Sequence, residues 1–471
     1  ARRWPTNPVK DANGYYLDHS EIIQMEEGGR DVTQKDQFYQ QIQLVVEPLK
    51  DWLIHAEGNM KIVNNQNQWE VLPVYYHDGE GSPVAMAWFD GYTPGMSRVN
   101  QSYWKDNNYS LNLYTDYFKQ IGDHYFKVMG GFNAELYKRT NLSGQRDELI
   151  TPDVPTLNTG TTEQKANGGY SHWANAGFFG RINYGYNDKY LATVTLRADG
   201  SSKFAKGNRW GFFPAGALAW RISNEDFLKD NQVVSNLKLR VSYGTSGNDR
   251  IDADLYQKLY GVSSSRPAGW GENSHYYYNF YNSKYVYNPD VRWETTITRN
   301  IGFDFGFFKE RISGTVDVYW NTVKDLLVPS DIPGYTGYTK LMTNVGQTSN
   351  RGIELQLNAW LVETKDFSLN ATFNIGHNKN KIDKLASGEK EWILTSGWRN
   401  DVVNSDDYRA YVGGTSGLIY GYVNDGFYTV ADFESFDSKS RTWKLKEGVV
   451  DSSPLSDTPR PGNAKFKKLT P

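Results

Sequence analysis

Apolar and polar side chains alternate along many segments of this chain, each about ten residues long, and polar turns join the segments in pairs. Phe178 and Ile182, for example, alternate with Arg181 and Asn183 before a polar turn at 187–189. Because successive side chains along a strand point to opposite faces, each segment has one apolar face and one polar face. The pattern predicts antiparallel β-strands connected as hairpins.

The connections between these segments fall into two classes. Short turns such as 121–123 alternate with long segments such as 138–173. Outer-membrane β-barrels have short periplasmic turns and long extracellular loops. The sequence therefore predicts an all-β fold, a transmembrane antiparallel β-barrel with its long loops outside the cell. The predicted strands lie at 40–48, 51–59, 108–119, 124–137, 173–186, 189–199, 209–221, 235–246, 293–307, 311–325, 350–361 and 367–378.

The polar face of the predicted strands favours a water-filled lumen. Strand after strand carries Glu, Gln, Asn, Lys or Arg on that face, and lipid cannot satisfy such groups. A soluble carbohydrate-binding β-sandwich or propeller would also alternate, but it would bury its apolar face. A passive porin or an enzyme barrel would have the same pattern as a transporter. The pattern alone leaves these alternatives open.

Composition agrees with a barrel and excludes several other classes. Hydrophobic residues make up 38% of the chain, and mean hydropathy is -0.66, with no apolar run near the roughly 20 residues of a spanning helix. Aromatic residues reach 15%, which fits aromatic girdles at two membrane interfaces. The absence of cysteine excludes disulfides and thiolate chemistry. A net charge of -3 gives no basic footprint for nucleic acid.

The chain shows no motif for catalysis, a metal or a cofactor. Its seven histidines are scattered without H-E-x-x-H spacing, and no G-x-S-x-G sequence occurs. The glycine and serines at 200–202 could suggest a phosphate cradle, but a strand follows them instead of the helix that such a cradle needs. We therefore predict no catalytic residue, no metal site, no cofactor and no enzyme activity.

Four long stretches of the chain carry a family resemblance. They are GRINYGYNDKYLATVTLRADGSSKFAKGNRWGFFPAGALAWRISNEDF at 180–227, SNLKLRVSYGTSGN at 235–248, NPDVRWETTITRNIGFDFGFFKERISGTVDVYWNTVKDLL at 288–327 and NVGQTSNRGIELQLNA at 344–359. These stretches resemble the SusC/RagA-like TonB-dependent outer-membrane transporters of Bacteroidota. The resemblance covers nearly the whole chain, from Pro5 to about Lys467.

The resemblance implies a 22-strand barrel closed by an N-terminal plug, of which about twelve strands would be covered here. It implies import of a large nutrient, an oligosaccharide or secondly a peptide, with a SusD-like surface lipoprotein as lid and TonB acting through an N-terminal segment. Neither the plug nor the closing strands are recognisable in this sequence. We expect 1–39 to be an extracellular loop, 40–378 to hold the barrel strands, and 379–471 to be a loop region with one further strand near 420–428.

Two sets of residues are candidates for function. Aromatic rings stack on sugars and carboxylates accept their hydrogen bonds, so loops rich in both are candidate contacts with substrate or lid. Any single loop aromatic more often packs on a neighbouring loop. The loop set is Trp88, Trp104, Trp270, Tyr276, Tyr277, Tyr278, Trp398, Asp406 and Asp407. The second set is predicted to form a lumen-facing polar network and comprises Arg197, Asp199, Arg240, Asp304 and Asp317.

Overall fold

The structure is a computed structural model, and β-strands dominate it. It describes residues 8–17, 21–77, 82–85, 94–228, 231–258, 260–270, 275–282, 285–385, 390–394, 408–421, 423–451 and 458–467. The strands are β1 (Asp31–Leu49), β2 (Trp52–Val71), β3 (Tyr75–His77), β4 (Pro83–Ala85), β5 (Arg98–Ile121), β6 (His124–Leu149), β7 (Gly160–Tyr186), β8 (Tyr190–Ser201), β9 (Trp210–Phe212), β10 (Ala215–Arg221), β11 (Val234–Asn248), β12 (Tyr260–Trp270), β13 (His275–Asn282), β14 (Tyr285–Val286), β15 (Glu294–Phe307), β16 (Ile312–Asp331), β17 (Lys340–Glu363), β18 (Ser368–Lys384), β19 (Glu391–Leu394), β20 (Tyr408–Tyr411), β21 (Leu418–Ile419), β22 (Asn424–Phe427), β23 (Phe433–Asp437), β24 (Thr442–Leu445) and β25 (Ala464–Phe466).

Helical structure is sparse in the described residues. One α-helix, α1, covers Glu21–Glu27. Short 3-10 turns occur at Leu157–Thr159, Ile222–Asn224, Gly334–Thr336 and Val430–Asp432. Among the described residues, no helix combines the length and the apolar character needed to cross a membrane.

The chain divides into two compact units. The first comprises Ala1–Tyr184, Val194–Phe212 and Ile251–Asp254. Its main strands β1, β2, β5 and β6 pair antiparallel in that order, and β7 and β8 continue the order. The tight turns between paired strands contain Asp51 and Gly122, whose φ angles are 70° and 56°. Positive φ matches the turn twist to the twist of the flanking strands.

The second unit comprises Gly185–Thr193, Phe213–Arg250 and Leu255–Pro471. Its main strands β10, β11, β15, β16, β17 and β18 pair antiparallel in that order. The hairpin turn within 185–193 has positive φ at both Asn187 and Asp188, 48° and 51°. Two consecutive positive φ angles define a type I′ turn, for which Asn and Asp are favoured.

All the segments that the alternation predicts as strands are extended, and several strands are longer than predicted. β2 continues to Val71 and β6 to Leu149, into segments that we expected to be loops. β1 begins at Asp31, inside the predicted 1–39 loop. Beyond an apolar band both faces of a strand meet water, so the two-residue period disappears from the sequence. The backbone ladder continues because its hydrogen bonds do not depend on side-chain polarity.

Two other segments differ in detail from the expected strands. The predicted strand at 209–221 is divided into β9 and β10, and Pro214 lies in the break. Proline has no N–H to donate to a ladder, so a strand is interrupted there. β22 lies within the region where a further strand near 420–428 was expected.

The apolar face of the strands is exposed and does not form an internal core. Leu113, Phe178, Leu196, Val241 and Ile353 are between 42% and 55% exposed. A soluble sandwich would bury these side chains, and soluble monomers rarely expose such wide apolar surfaces. The exposed face therefore favours a lipid environment over the soluble alternative.

Candidate functional site

An arginine on β8 reaches across β7 to β6 on the polar face of the first unit. Arg197 donates from Nε to Asp199 Oδ2 at 2.6 Å and from Nη2 to Asn133 Oδ1 at 3.0 Å. Gly177 of β7 lies beneath this crossing, where a Cβ atom would come within 2.6 Å of Asn133 Oδ1. The missing side chain at Gly177 therefore opens the path that the guanidinium follows.

A second arginine network has the same construction in the second unit. Arg240 of β11 donates from Nη2 to Asp304 Oδ1 at 2.7 Å and to Asp317 Oδ2 at 3.3 Å. Gly302 of β15 lies under the guanidinium, and a Cβ there would be 2.6 Å from Arg240 Cζ. One cation thus compensates two carboxylates on two neighbouring strands. The sequence placed these three residues on polar faces but gave no distances between them.

A buried carboxylate lies on the same polar face near the tight turns of the first unit. The Asp116 side chain is only 8% exposed and has Lys127 Nζ at 3.4 Å and His55 Nε2 at 3.9 Å. The His55 ring stacks on Tyr114 at 4.4 Å between centroids. A buried carboxylate needs a nearby cation to offset its desolvation, and Lys127 supplies it. Sequence reasoning did not single out these residues.

Aromatic and cationic side chains meet near the middle of β6 and β7. Tyr137 and Trp173 stack with centroids 5.5 Å apart and planes inclined by 21°. Lys203 Nζ lies 4.9 Å from the centroid of the Trp173 ring, within the range of a cation–π interaction. This arrangement offers flat ring surface beside a positive charge.

An ion pair adjoins these rings. Asp106 accepts from Arg139 Nε at 2.6 Å and Nη2 at 2.8 Å, and from Tyr137 Oη at 2.9 Å. Trp104 lies two residues before Asp106 in β5, opposite Asn141. We call the following six residues the Tyr137 cluster: Trp104, Asp106, Tyr137, Arg139, Trp173 and Lys203.

Only Trp104 of this cluster was a sequence candidate. The signal that could have found the others is the position of Tyr137 and Trp173 at the ends of two predicted strands, both on the polar face. Aromatic residues there belong neither to the apolar face nor to a loop. A search restricted to loop aromatics therefore missed them.

The remaining loop candidates lie outside the Tyr137 cluster. Trp270 pairs with His275 at the end of the β12–β13 hairpin, and Tyr276 and Tyr277 pair with Gly269 and Ala268. Tyr278 lies in β13 with them. The candidates that fall outside the described residues are Trp88, Trp398, Asp406 and Asp407.

A carboxylate in the connection after β10 is held by three donors in the second unit. Glu225 accepts from Tyr190 Oη at 2.7 Å, Trp220 Nε1 at 2.9 Å and Lys189 Nζ at 3.1 Å. These hydrogen bonds, with the positive charge of Lys189, lower the pKa of Glu225 to about 2. The contacts fasten this connection to the turn that precedes β8.

Relatives of known class match nearly the whole chain. Residues 2–452 match the family model described as TonB dependent receptor-like, beta-barrel. The chain is 36% identical over 328 residues to TonB-dependent receptor SusC of Bacteroides thetaiotaomicron, covering 68% of this chain and 31% of that protein. It is 28% identical over 495 residues to TonB-dependent receptor P26 of Formosa agariphila, covering 98% of this chain and 44% of that protein.

Solved structures share the fold. A structure of the RagAB peptide transporter aligns with a TM-score of 0.74 at 22% identity, over 89% of this chain and 44% of that chain. The RagAB peptide importer in its closed-closed state aligns with a TM-score of 0.73 at 21% identity, over 98% of this chain and 47% of that chain. In both comparisons this chain spans less than half the length of the aligned chain.

These findings define the class as a β-barrel of the TonB-dependent outer-membrane type. The chain belongs to the TonB-dependent receptor-like β-barrel family. Within that family it is SusC/RagA-like, as the four sequence stretches predicted. Its relatives are named as receptors and transporters, not as enzymes.

Proposed function

We propose that the protein containing this chain imports a large nutrient across the outer membrane, driven by TonB and assisted by a SusD-like surface lipoprotein. An oligosaccharide is our first choice of cargo and a peptide the second. The observation that carries the proposal is the 36% identity to SusC over 328 residues. The exposed apolar face supports it, because such a face suits lipid and not a soluble protein.

The Tyr137 cluster supports the choice of an oligosaccharide. Sugars bind through stacking on aromatic faces and through hydrogen bonds to charged side chains. Tyr137 and Trp173 provide the rings, while Asp106 and Arg139 provide acceptors and donors within the same cluster. Because these side chains share the polar face of their strands with Arg197, we assign them to the lumen wall above its charged network.

The two lumen-facing networks would then act as a fixed wall of low net charge. Arg197 and Asp199 balance each other, whereas Arg240 with Asp304 and Asp317 leaves a single net negative charge. We propose that both networks stiffen the wall and that neither takes part in a chemical step. The transporter would draw its energy from TonB, so no nucleotide or catalytic site is required of this chain.

Uptake measurements test the proposal. A deletion strain should lose uptake of a fluorescent oligosaccharide, and the full-length gene should restore it only when TonB is present. Restoration without TonB would indicate a passive pore and contradict the proposal. Uptake of labelled peptides in place of oligosaccharides would exclude the first choice of cargo.

A matched pair of variants tests the cluster. Trp173→Ala should weaken oligosaccharide binding to the purified full-length complex by about two- to tenfold, the value of one aromatic contact. Trp210→Ala removes an equally large ring that stacks on Phe178 instead, and it should leave affinity unchanged. Calorimetric titration measures both. Equal affinities for the parent and Trp173→Ala would remove the cluster from the binding surface.

A further inference from the structure

Aromatic and cationic side chains form a continuous row across five strands of the second unit. The register places Tyr243 of β11 opposite Arg299 of β15, and Arg299 opposite Trp320 of β16. Trp320 lies opposite Arg351 of β17, which lies opposite Lys379 of β18. Directly paired residues in a sheet share a face, so these side chains project from one surface at one level.

This surface is the apolar face of the strands. Short turns at 308–311 and 364–367 join β15 to β16 and β17 to β18. The next level of the same face lies two residues nearer to these turns and carries Val241, Ile301, Val318 and Ile353 in the same register. Val241, Ile301 and Ile353 are 43–49% exposed. The row therefore marks the border at which an exposed apolar band ends and charged side chains begin.

Positive charge is in excess at this border. Arg351, Lys379 and Lys381 are exposed and line, with Trp320, a cavity of about 380 Å³. The acidic side chain that lines this cavity is Asp383, which accepts from Ser349 Oγ at 3.1 Å and Gln347 Nε2 at 3.3 Å. Lys381 Nζ lies 4.0 Å from it. Within the part of the chain that the structure describes, neither Arg351 nor Lys379 has an ion-pair partner.

Two members of the row, Tyr243 and Arg299, already contact each other. Arg299 Cζ lies 6.0 Å from the Tyr243 ring centroid, and its Nη1 is 3.4 Å from Thr322 Oγ1. Trp320 is 42% exposed, as expected of an aromatic ring at a membrane interface. Arg351 and Lys379 are therefore held beside an interfacial tryptophan and directly above apolar side chains.

We propose that Arg351, Lys379 and Lys381 bind the phosphate groups of a phosphorylated lipid in the outer leaflet, whose acyl chains lie on the apolar band below. Guanidinium and ammonium groups are strong phosphate donors, and basic clusters at the headgroup level attract anionic lipids. The inference rests on the proposed function only for the membrane location and for the long loops being outside. A cargo ligand is disfavoured because the row lies on the face opposite the Arg240 network.

Native mass spectrometry of the full-length transporter tests the site, with bisphosphorylated lipid A and its dephosphorylated form as probes. The parent should retain the phosphorylated lipid and lose the dephosphorylated one. The triple variant R351Q/K379Q/K381Q should bind the phosphorylated lipid about a hundredfold more weakly, at about fivefold for each cation removed. The matched control K309Q/R311Q/K365Q removes three exposed cations from the turns that join β15 to β16 and β17 to β18, at the other end of the sheet, and should bind as the parent does.

Three outcomes would contradict the lipid-phosphate site. Equal retention by the parent and the triple variant would refute it, as would equal retention of the dephosphorylated lipid by the parent. Displacement of the lipid by inorganic phosphate would identify a free-anion site instead. TonB-dependent uptake should be unchanged in both variants, so a protein that binds the lipid but does not transport would contradict the proposed function and not this site.

Discussion

Removing the guanidinium of Arg240 should destabilise the second unit, because it leaves two partly buried carboxylates without their cation. Arg240→Met keeps the apolar stem of the side chain and removes all donors. The lost contacts are those of Nε to Asp304 at 2.9 and 3.1 Å, of Nη2 to Asp304 at 2.7 Å, and of Nη2 to Asp317 at 3.3 Å.

The magnitude follows from burial. Hydrogen bonds to charged groups contribute about 1.5–3 kcal/mol when shielded from water, and fully exposed ion pairs contribute about 0.2–1 kcal/mol. The side chains of Arg240 and Asp304 are 32% and 19% exposed, which lies between these cases. We expect Arg240→Met to lower the free energy of unfolding by about 1–3 kcal/mol. Asp304→Asn should cost more than Asp317→Asn because its contacts are shorter and more numerous.

Urea unfolding of the full-length protein in lipid vesicles, followed by tryptophan fluorescence, measures these differences. The triple variant R240M/D304N/D317N serves as the control, since it removes both carboxylates together with their cation and so leaves no uncompensated charge. It should recover most of the loss. An unchanged midpoint for Arg240→Met, or a triple variant less stable than the single one, would refute the reasoning.

Two further predictions concern other parts of the chain. Gly177→Ala should displace Arg197 and lower stability by about 1 kcal/mol, the value of a partly exposed charged contact. Gly180→Ala on the same strand should cause no such loss, because a Cβ there would be 3.7 Å from its nearest neighbour. Thermal unfolding of both variants measures the difference, and equal losses of stability would contradict the prediction. The pKa of Glu225 is about 2, below that of an ordinary carboxyl group. Glu225 should therefore stabilise the protein at pH values above the ordinary carboxyl pKa, and this contribution should be lost as the pH falls through about 2. Between these two pH values the melting temperature of the parent should fall more steeply with decreasing pH than that of Glu225→Gln, and equal slopes would exclude the effect.

The polar networks illustrate what the sequence could and could not predict about the candidate site. Alternation assigned Arg197, Asp199 and Arg240 to polar faces because the side-chain period along a strand is local. It could not show that Arg197 reaches Asn133, 64 positions away, because that contact depends on the pairing of strands. Gly177 looks like any other small residue in the sequence, and its role becomes visible only when the crossing side chain is seen.

The Tyr137 cluster and the cationic row show the same limit. Tyr137 and Trp173 come from different strands, and the row from Tyr243 to Lys379 draws one residue from each of five strands. Register decides which residues face each other, and a shift of one position would move every side chain to the opposite face. No local pattern in the sequence contains that information.

By itself, the sequence determined the strands of the apolar band, the two faces of each strand and the family resemblance, because the two-residue period and the motif stretches are properties of short segments. Only the tertiary structure decided how far the strands continue beyond that band, that the apolar face is exposed, and which charged side chains meet. Each of these depends on backbone pairing between distant segments, and that pairing is set by the cooperative register of the whole sheet.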